Sequence, residues 1–113
     1  MKTIIAGSRT INDYKLLEET INKLDFSITE VVCGCAQGVD RLGELWAKNN
    51  NIPIKYFPAD WGQYGNVAGM LRNIDMARYA EACVCLWDGK SRGTKQMINQ
   101  ASKYKLKLTV YSI

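Results

Sequence analysis

Apolar and polar positions along the chain alternate between strand-like runs and helical spacing, and each change of period passes through a short polar loop. Thr3-Ile4-Ile5-Ala6 is a β-type run stopped by Gly7. Asn12 and Asp13 are good N-caps for a helix with Tyr14, Leu17, Ile21 and Leu24 at helical spacing. Glu30-Val31-Val32-Cys33 predicts the second strand, and Gly38 opens a second helix carrying Leu42, Leu45 and Trp46. The Asn49-Asn50-Asn51 run ends that helix, and Pro53, with no N–H to donate, forbids its continuation. Ile54-Lys55-Tyr56-Phe57 makes the third strand, and a third helix follows Gly65 with Val67, Met70, Leu71 and Ile74 on one face. Ala82-Cys83-Val84-Cys85-Leu86-Trp87 is continuously apolar, as expected of a central strand covered on both sides. A fourth helix runs from about Gly93 to Lys103 and buries Met97, Ile98 and Ala101; Lys107-Leu108-Thr109-Val110-Tyr111 closes the sheet.

This alternation predicts one α/β domain over residues 1–113: a five-stranded parallel sheet with right-handed crossovers and helices on both faces. No linker, repeat or low-complexity segment divides it. The 47% hydrophobic content is that of an ordinary globular protein. A net charge of +4 favours anionic ligands but falls short of the footprint of a nucleic-acid-binding protein. The start of the chain lacks the pattern of a secretory leader, and no apolar stretch approaches the roughly 20 residues a bilayer span needs, so a cytoplasmic location is expected.

The four cysteines form two C-x-C pairs, Cys33/Cys35 and Cys83/Cys85, each in or beside an apolar run. Such spacing puts both thiols of a pair on one face of a strand. Zinc sites use wider spacing, often with His, and this chain has no histidine. The expectation is buried, reduced thiols acting as small hydrophobes and no metal site.

Every predicted strand but the last runs into a small, Gly- or Asp-marked polar loop. In an open parallel sheet, ligands bind beyond the carboxyl ends of the strands, where the strand order reverses. Gly7-Ser8-Arg9 combines close backbone approach, a hydroxyl and a bidentate fork for phosphate or carboxylate; alone it is equally a tight turn with a solvated arginine. Gly34-x-Ala36-x-Gly38-x-Asp40 places small residues before a helix, where bulk would block N–H groups from an anion. Asp40 is suited to capping this helix, holding the neighbouring loop or receiving a ribose hydroxyl. Asp60-Trp61 and Arg72-Asn73 flank a Gly-rich stretch; Trp61 or Tyr64 is either a stacking surface for a base or a core plug, and Arg72 and Asn73 point to the strand ends or to solvent. Asp88-Gly89-Lys90-Ser91-Arg92-Gly93-Thr94 is the strongest phosphate cradle, with Gly89 and Gly93 permitting special backbone angles and Ser91 and Thr94 supplying hydroxyls at a helix start. Neither a Walker pattern nor a G-x-G-x-x-G fingerprint after the first strand is present.

Together, I-A-G-S-R, G-C-A-Q-G-V-D-R-L-G-E-L-W-A, P-A-D-W, A-G-M-L-R-N and W-D-G-K-S-R-G-T-K-Q-M-I resemble the SLOG superfamily, the Smf/DprA and Lonely Guy group of Rossmann-like proteins. The resemblance spans nearly the whole chain and is nearest to the small YspA-like, YpsA-related branch. It implies strand order 3-2-1-4-5 and a pocket for nucleotides or nucleotide-derived ligands, in proteins of bacteria and phages linked to nucleotide signalling or conflict. Lonely Guy phosphoribohydrolases carry P-G-G-x-G-T-x-x-E, whose glutamate assists N-glycosidic cleavage. Gly93-Thr94 matches the G-T, but Met97 occupies the glutamate position and can neither activate water nor stabilise an oxocarbenium-like centre. No catalytic residue is assigned, although Glu44, Asp60 or Asp88 remain candidate substitutes.

The first functional expectation is therefore a sensor or sequestering module for a nucleotide-derived small molecule, bound through Gly7, Ser8, Arg9, Gly34, Ala36, Gly38, Asp40, Asp60, Trp61, Arg72, Asn73, Asp88, Gly89, Ser91, Gly93 and Thr94. A phosphoribohydrolase-type enzyme is the alternative, and a DNA-binding protein ranks third. No cofactor and no membrane partner are expected, nucleic acid is disfavoured by the mild charge, and homo-oligomerisation is left open.

Overall fold

The computed structural model describes residues 1–113 and realises the predicted alternation as a parallel five-stranded sheet in the order β3-β2-β1-β4-β5. The strands are β1 (Lys2–Gly7), β2 (Glu30–Cys33), β3 (Ile54–Tyr56), β4 (Ala82–Trp87) and β5 (Lys107–Ser112). The helices are α1 (Tyr14–Asn22), α2 (Val39–Asn49), α3 (Trp61–Tyr64), α4 (Ala68–Tyr79) and α5 (Arg92–Lys103), with a 3-10 turn, Gly65–Val67, between α3 and α4.

Period-two alternation sorts the side chains of the central strands onto the two sheet faces. Ile5, Val31 and Leu86 join Leu17, Val39, Leu42 and Trp46 in the core beneath α1 and α2. Ile4, Ala6, Val32, Cys83 and Cys85 join Met76, Ala77, Met97 and Ala101 beneath α4 and α5. Val84 at 0% exposure marks β4 as the central strand its apolar run predicts. Each fully buried aliphatic side chain contributes about 1.5–3 kcal/mol relative to an exposed one.

Local signals set the boundaries. Asp13 caps α1 by accepting from the Leu16 N–H at 3.1 Å, and Asp60 caps α3 by accepting from the Gln63 N–H at 3.1 Å. β3 is one residue shorter than Ile54–Phe57, although the Phe57 N–H still donates to the Cys33 carbonyl at 2.8 Å. The helix predicted after Gly65 forms as α4, entered through the 3-10 turn, and a short helix not foreseen from sequence, α3, precedes Gly65, which turns the chain with φ +59°. The face that α4 covers differs from the predicted one. Val67 and Met70 are exposed, and α4 buries Ala68, Asn73, Met76 and Ala77 instead. Leu45 is likewise exposed on α2, because Leu42 and Trp46 already fill the space against the sheet. No helix is long and apolar enough to cross a membrane.

Candidate functional site

Because β1 leads to β2 on one side and β4 leads to β5 on the other, the loops after β1 and β4 diverge and leave a crevice at the carboxyl edge of the sheet. The crevice is a cleft of about 830 Å³, within the usual range for small-molecule sites. Of the residues singled out from sequence, Gly7, Arg9, Gly34, Ala36, Asp40, Trp61, Arg72, Asn73, Ser91, Gly93 and Thr94 line it. Ser8, Gly38, Asp60, Asp88 and Gly89 do not.

Three of those five have specific structural roles in the loops around β1 and β4. The Ser8 hydroxyl is buried and accepts from the Asp88 N–H at 3.0 Å, tying the loop after β4 to the loop after β1. Asp88 accepts from the Lys90 and Ser91 N–H groups at 2.8 and 2.9 Å, and these bonds hold its carboxyl below the usual range. The Lys90 and Ser91 amides are thereby withdrawn from any anion, narrowing the predicted cradle to the start of α5. Gly38, at φ +74°, lies so close to the first loop that a Cβ there would meet the Ser8 carbonyl oxygen at 2.5 Å and the Arg9 carbonyl oxygen at 2.6 Å. Gly7 is small for a similar reason: its Cβ would fall 2.2 Å from the Leu86 carbonyl oxygen. Smallness at these two positions serves loop and strand packing. Gly93 differs, since a Cβ there meets nothing within 4 Å and would project into open space.

At the start of α5, the Ser91 hydroxyl caps the Thr94 N–H at 3.3 Å and lies 3.0 Å from the Thr94 hydroxyl. The Arg92 and Gly93 N–H groups donate to no acceptor in the chain. The start of α2 is open too: Gly38 gives no side-chain cap, and the Val39 and Asp40 N–H groups are unpaired. Both ends carry the partial positive charge of a helix dipole.

The α4 segment stitches the loops together. Arg72 donates through Nη1 to the Gly34 carbonyl and through Nε to Asn73 Oδ1 at 3.0 Å. Asn73 Nδ2 donates to Gln96 Oε1 at 2.6 Å, so the loop after β2 is linked through α4 to α5. The alternative of solvent-facing residues does not hold: Arg72 is partly buried and Asn73 is 7% exposed.

Charge in the cleft is one-sided. Arg9, Arg41, Arg72 and Arg92 line it against a single carboxylate, Asp40. Asp40 is 5% exposed and accepts from the Ala36 N–H at 3.2 Å. Burial raises its pKa to about 6, opposed by the Ala36 N–H and the Arg72 charge. Arg41 and Arg92 are absent from the sequence-based set, yet a signal for them exists. Both lie in the first turn of a helix, where the dipole disfavours a cation unless an anion is held nearby. Gln37, Asn66, Met70 and Gln96 also line the cleft without having been foreseen, placed there by loop closure.

The substitute carboxylates are held elsewhere. Glu44 accepts from the Tyr56 hydroxyl at 2.6 Å, Asp60 caps α3, and Asp88 is held by its own loop. Met97, 1% exposed, forms part of the cleft floor. The cysteine expectation holds for Cys33, Cys83 and Cys85, which are buried, and fails for Cys35. Cys35 is exposed in the cleft at φ +66°, a left-handed conformation forced as the chain turns from β2 toward α2. Burial pushes the Cys33 thiol up to about 12, leaving it protonated at neutral pH.

A family model described as YAcAr, the YspA, cpYpsA-related SLOG family, matches residues 1–64. The chain is similar to the Gene 61 protein of Mycobacterium phage D29, with 31% identity over 112 residues covering 90% of this chain and 89% of that one. No solved structure matches significantly.

Proposed function

The chain belongs to the YspA, cpYpsA-related SLOG family, a nucleotide-related Rossmann-like group, and from that premise we propose that it binds a nucleotide or nucleotide-derived ligand in this cleft as a sensor or sequestering module. The observation that carries the reading is the lining of four arginines against one buried carboxylate, beside two helix starts with unpaired N–H groups. In this reading the phosphates lie between Arg9 and the start of α5, where Arg92, the Gly93 N–H and the Ser91 and Thr94 hydroxyls converge.

Native mass spectrometry of the protein purified from cells tests the reading by looking for a co-purified nucleotide, and calorimetry with ADP measures the affinity directly. Arg9→Ala is expected to weaken ADP binding by roughly ten- to a hundredfold, the range for one charge-assisted hydrogen-bonding group. Gly93→Val is expected to weaken it at least about tenfold, because the added side chain occupies the anion path. Its melting temperature should stay within a few degrees of wild type, since a Cβ at Gly93 touches nothing. Unchanged ADP affinity in both variants defeats the proposal.

Binding without turnover is the accompanying expectation. Met97 stands where the related hydrolases carry glutamate, and Glu44, Asp60 and Asp88 lie outside the cleft lining. A positioned general acid or base typically supplies about 10²–10⁴-fold in rate. Chromatography of AMP incubated with the protein should therefore show no appreciable free adenine. Robust release, abolished by Asp40→Asn, would instead make the protein an enzyme.

A further inference from the structure

Resting on the nucleotide reading above, we propose that Trp61 is the stacking platform for the ligand's base, and that the cleft thereby selects purine nucleoside diphosphates over ligands that offer phosphate alone. Trp61 is 58% exposed, and no residue of α3 is buried, so the indole does not serve as a core plug. It rests instead on the start of α4: a Cβ at Gly69 would come within 3.2 Å of Trp61 Cη2. Gly69 thus gives the ring a flat seat and leaves most of its surface open.

Trp61 and Met70 both line the cleft, and both are unusually exposed for their types. An indole and a polarizable thioether exposed in a polar cleft suit a planar aromatic ligand. Asn66, in the 3-10 turn after α3, lines the same cleft and carries an amide donor and acceptor suited to a base edge.

Position supports the assignment. Trp61 follows β3, whereas the proposed phosphate groups follow β1 and β4. β3 and β4 are three strand spacings apart in the sheet order, about 14 Å. The loop that carries Trp61 and the loop that leads from β4 into α5 are therefore separated by a nucleotide-scale distance, while Arg72, 3.8 Å from a Cβ at Gly69, lies beside the indole. Four arginines against one carboxylate leave three positive charges in excess, matching a fully ionised diphosphate.

Calorimetry on the full chain with ADP, CDP and inorganic pyrophosphate tests this. Wild type is expected to bind ADP tighter than CDP, and CDP tighter than pyrophosphate. Trp61→Ala should weaken ADP roughly ten- to a hundredfold, the usual loss for one base–aromatic stack, and leave pyrophosphate unchanged. Trp61→Phe should keep most of the ADP affinity. If Trp61→Ala leaves ADP unchanged, or weakens ADP and pyrophosphate equally, the platform is disproved. Wild-type protein that binds pyrophosphate as tightly as ADP disproves it without any variant, leaving the anion site standing. Binding of none of the three probes overturns the platform and the nucleotide reading together.

Discussion

Gly38→Val is expected to destabilise the protein by about 4 kcal/mol and to lower its melting temperature by on the order of 15 °C. Two effects add. At φ +74° and ψ −126° the backbone occupies a region that L-residues with a Cβ rarely adopt, which costs about 1–2 kcal/mol and more for a β-branched side chain. The new Cβ also meets the Ser8 and Arg9 carbonyl oxygens and the Arg9 carbonyl carbon at 2.5, 2.6 and 2.7 Å. These are backbone atoms of a loop held by the Ser8 bonds to Leu86 and Asp88, so relief requires moving the loop, at a typical overpacking cost of about 1–3 kcal/mol. Against a total stability of about 5–15 kcal/mol, this is a large fraction. Gly65→Ala isolates the first effect, because Gly65 also has positive φ but nothing near its Cβ position. Gly93→Ala lacks both and should be neutral or slightly stabilising. Urea midpoints that do not fall in the order Gly93, Gly65, Gly38 would refute the packing role given to Gly38.

Asp40→Asn is expected to stabilise the protein at pH 7 by up to about 3 kcal/mol. The Asp40 carboxyl rises from 3.8 to about 6 on folding, chiefly through burial, and each unit corresponds to about 1.4 kcal/mol. With the folded pKa above the unfolded one, the native state holds a proton between pH 4 and 6 that the unfolded chain has released. This contribution to stability is therefore fully present below the unfolded value and is lost as pH rises through 6. Asparagine keeps an oxygen to accept the Ala36 N–H and removes the buried charge. Asp25, Glu44 and Asp88 shift the opposite way and weaken the fold on acidification, so the wild-type curve mixes both signs. The difference between variant and wild type isolates Asp40: it should be small at pH 4, grow to pH 6 and stay level above. A difference independent of pH would show that folding does not shift the Asp40 carboxyl, and one that keeps growing well above pH 6 would show that Asp40 stays protonated in the native state.

The strands were largely legible because parallel strands buried on both faces leave continuous apolar runs, as Ala82–Trp87 does, whereas their order was implied by the SLOG resemblance and not by the runs themselves. Helix faces were less so. Leu45, Val67 and Met70 fit the apolar spacing, yet periodicity alone cannot say which residue at the margin of a face a neighbour will cover. The cleft shows the same division. Glycines, arginines and hydroxyls after the strands mark where it lies, and arginines in the first turns of α2 and α5 mark its charge.

What each of those residues does was decided only by the folded chain. Gly38 reads as an anion-site glycine and proves to be pressed against the loop after β1; Ser8 and Asp88 read as ligand contacts and bond to one another across 80 residues of sequence. Trp61 reads as core plug or platform and lies open on Gly69. Periodicity, capping and turn chemistry act over a few neighbouring residues, so the sequence by itself determined the strands, most of the helices and the edge of the sheet where the loops gather. Which carbonyl faces which glycine, which amide is already occupied, and which carboxylate is buried depend on loops closing from strands far apart in the chain, and only the tertiary structure decided them.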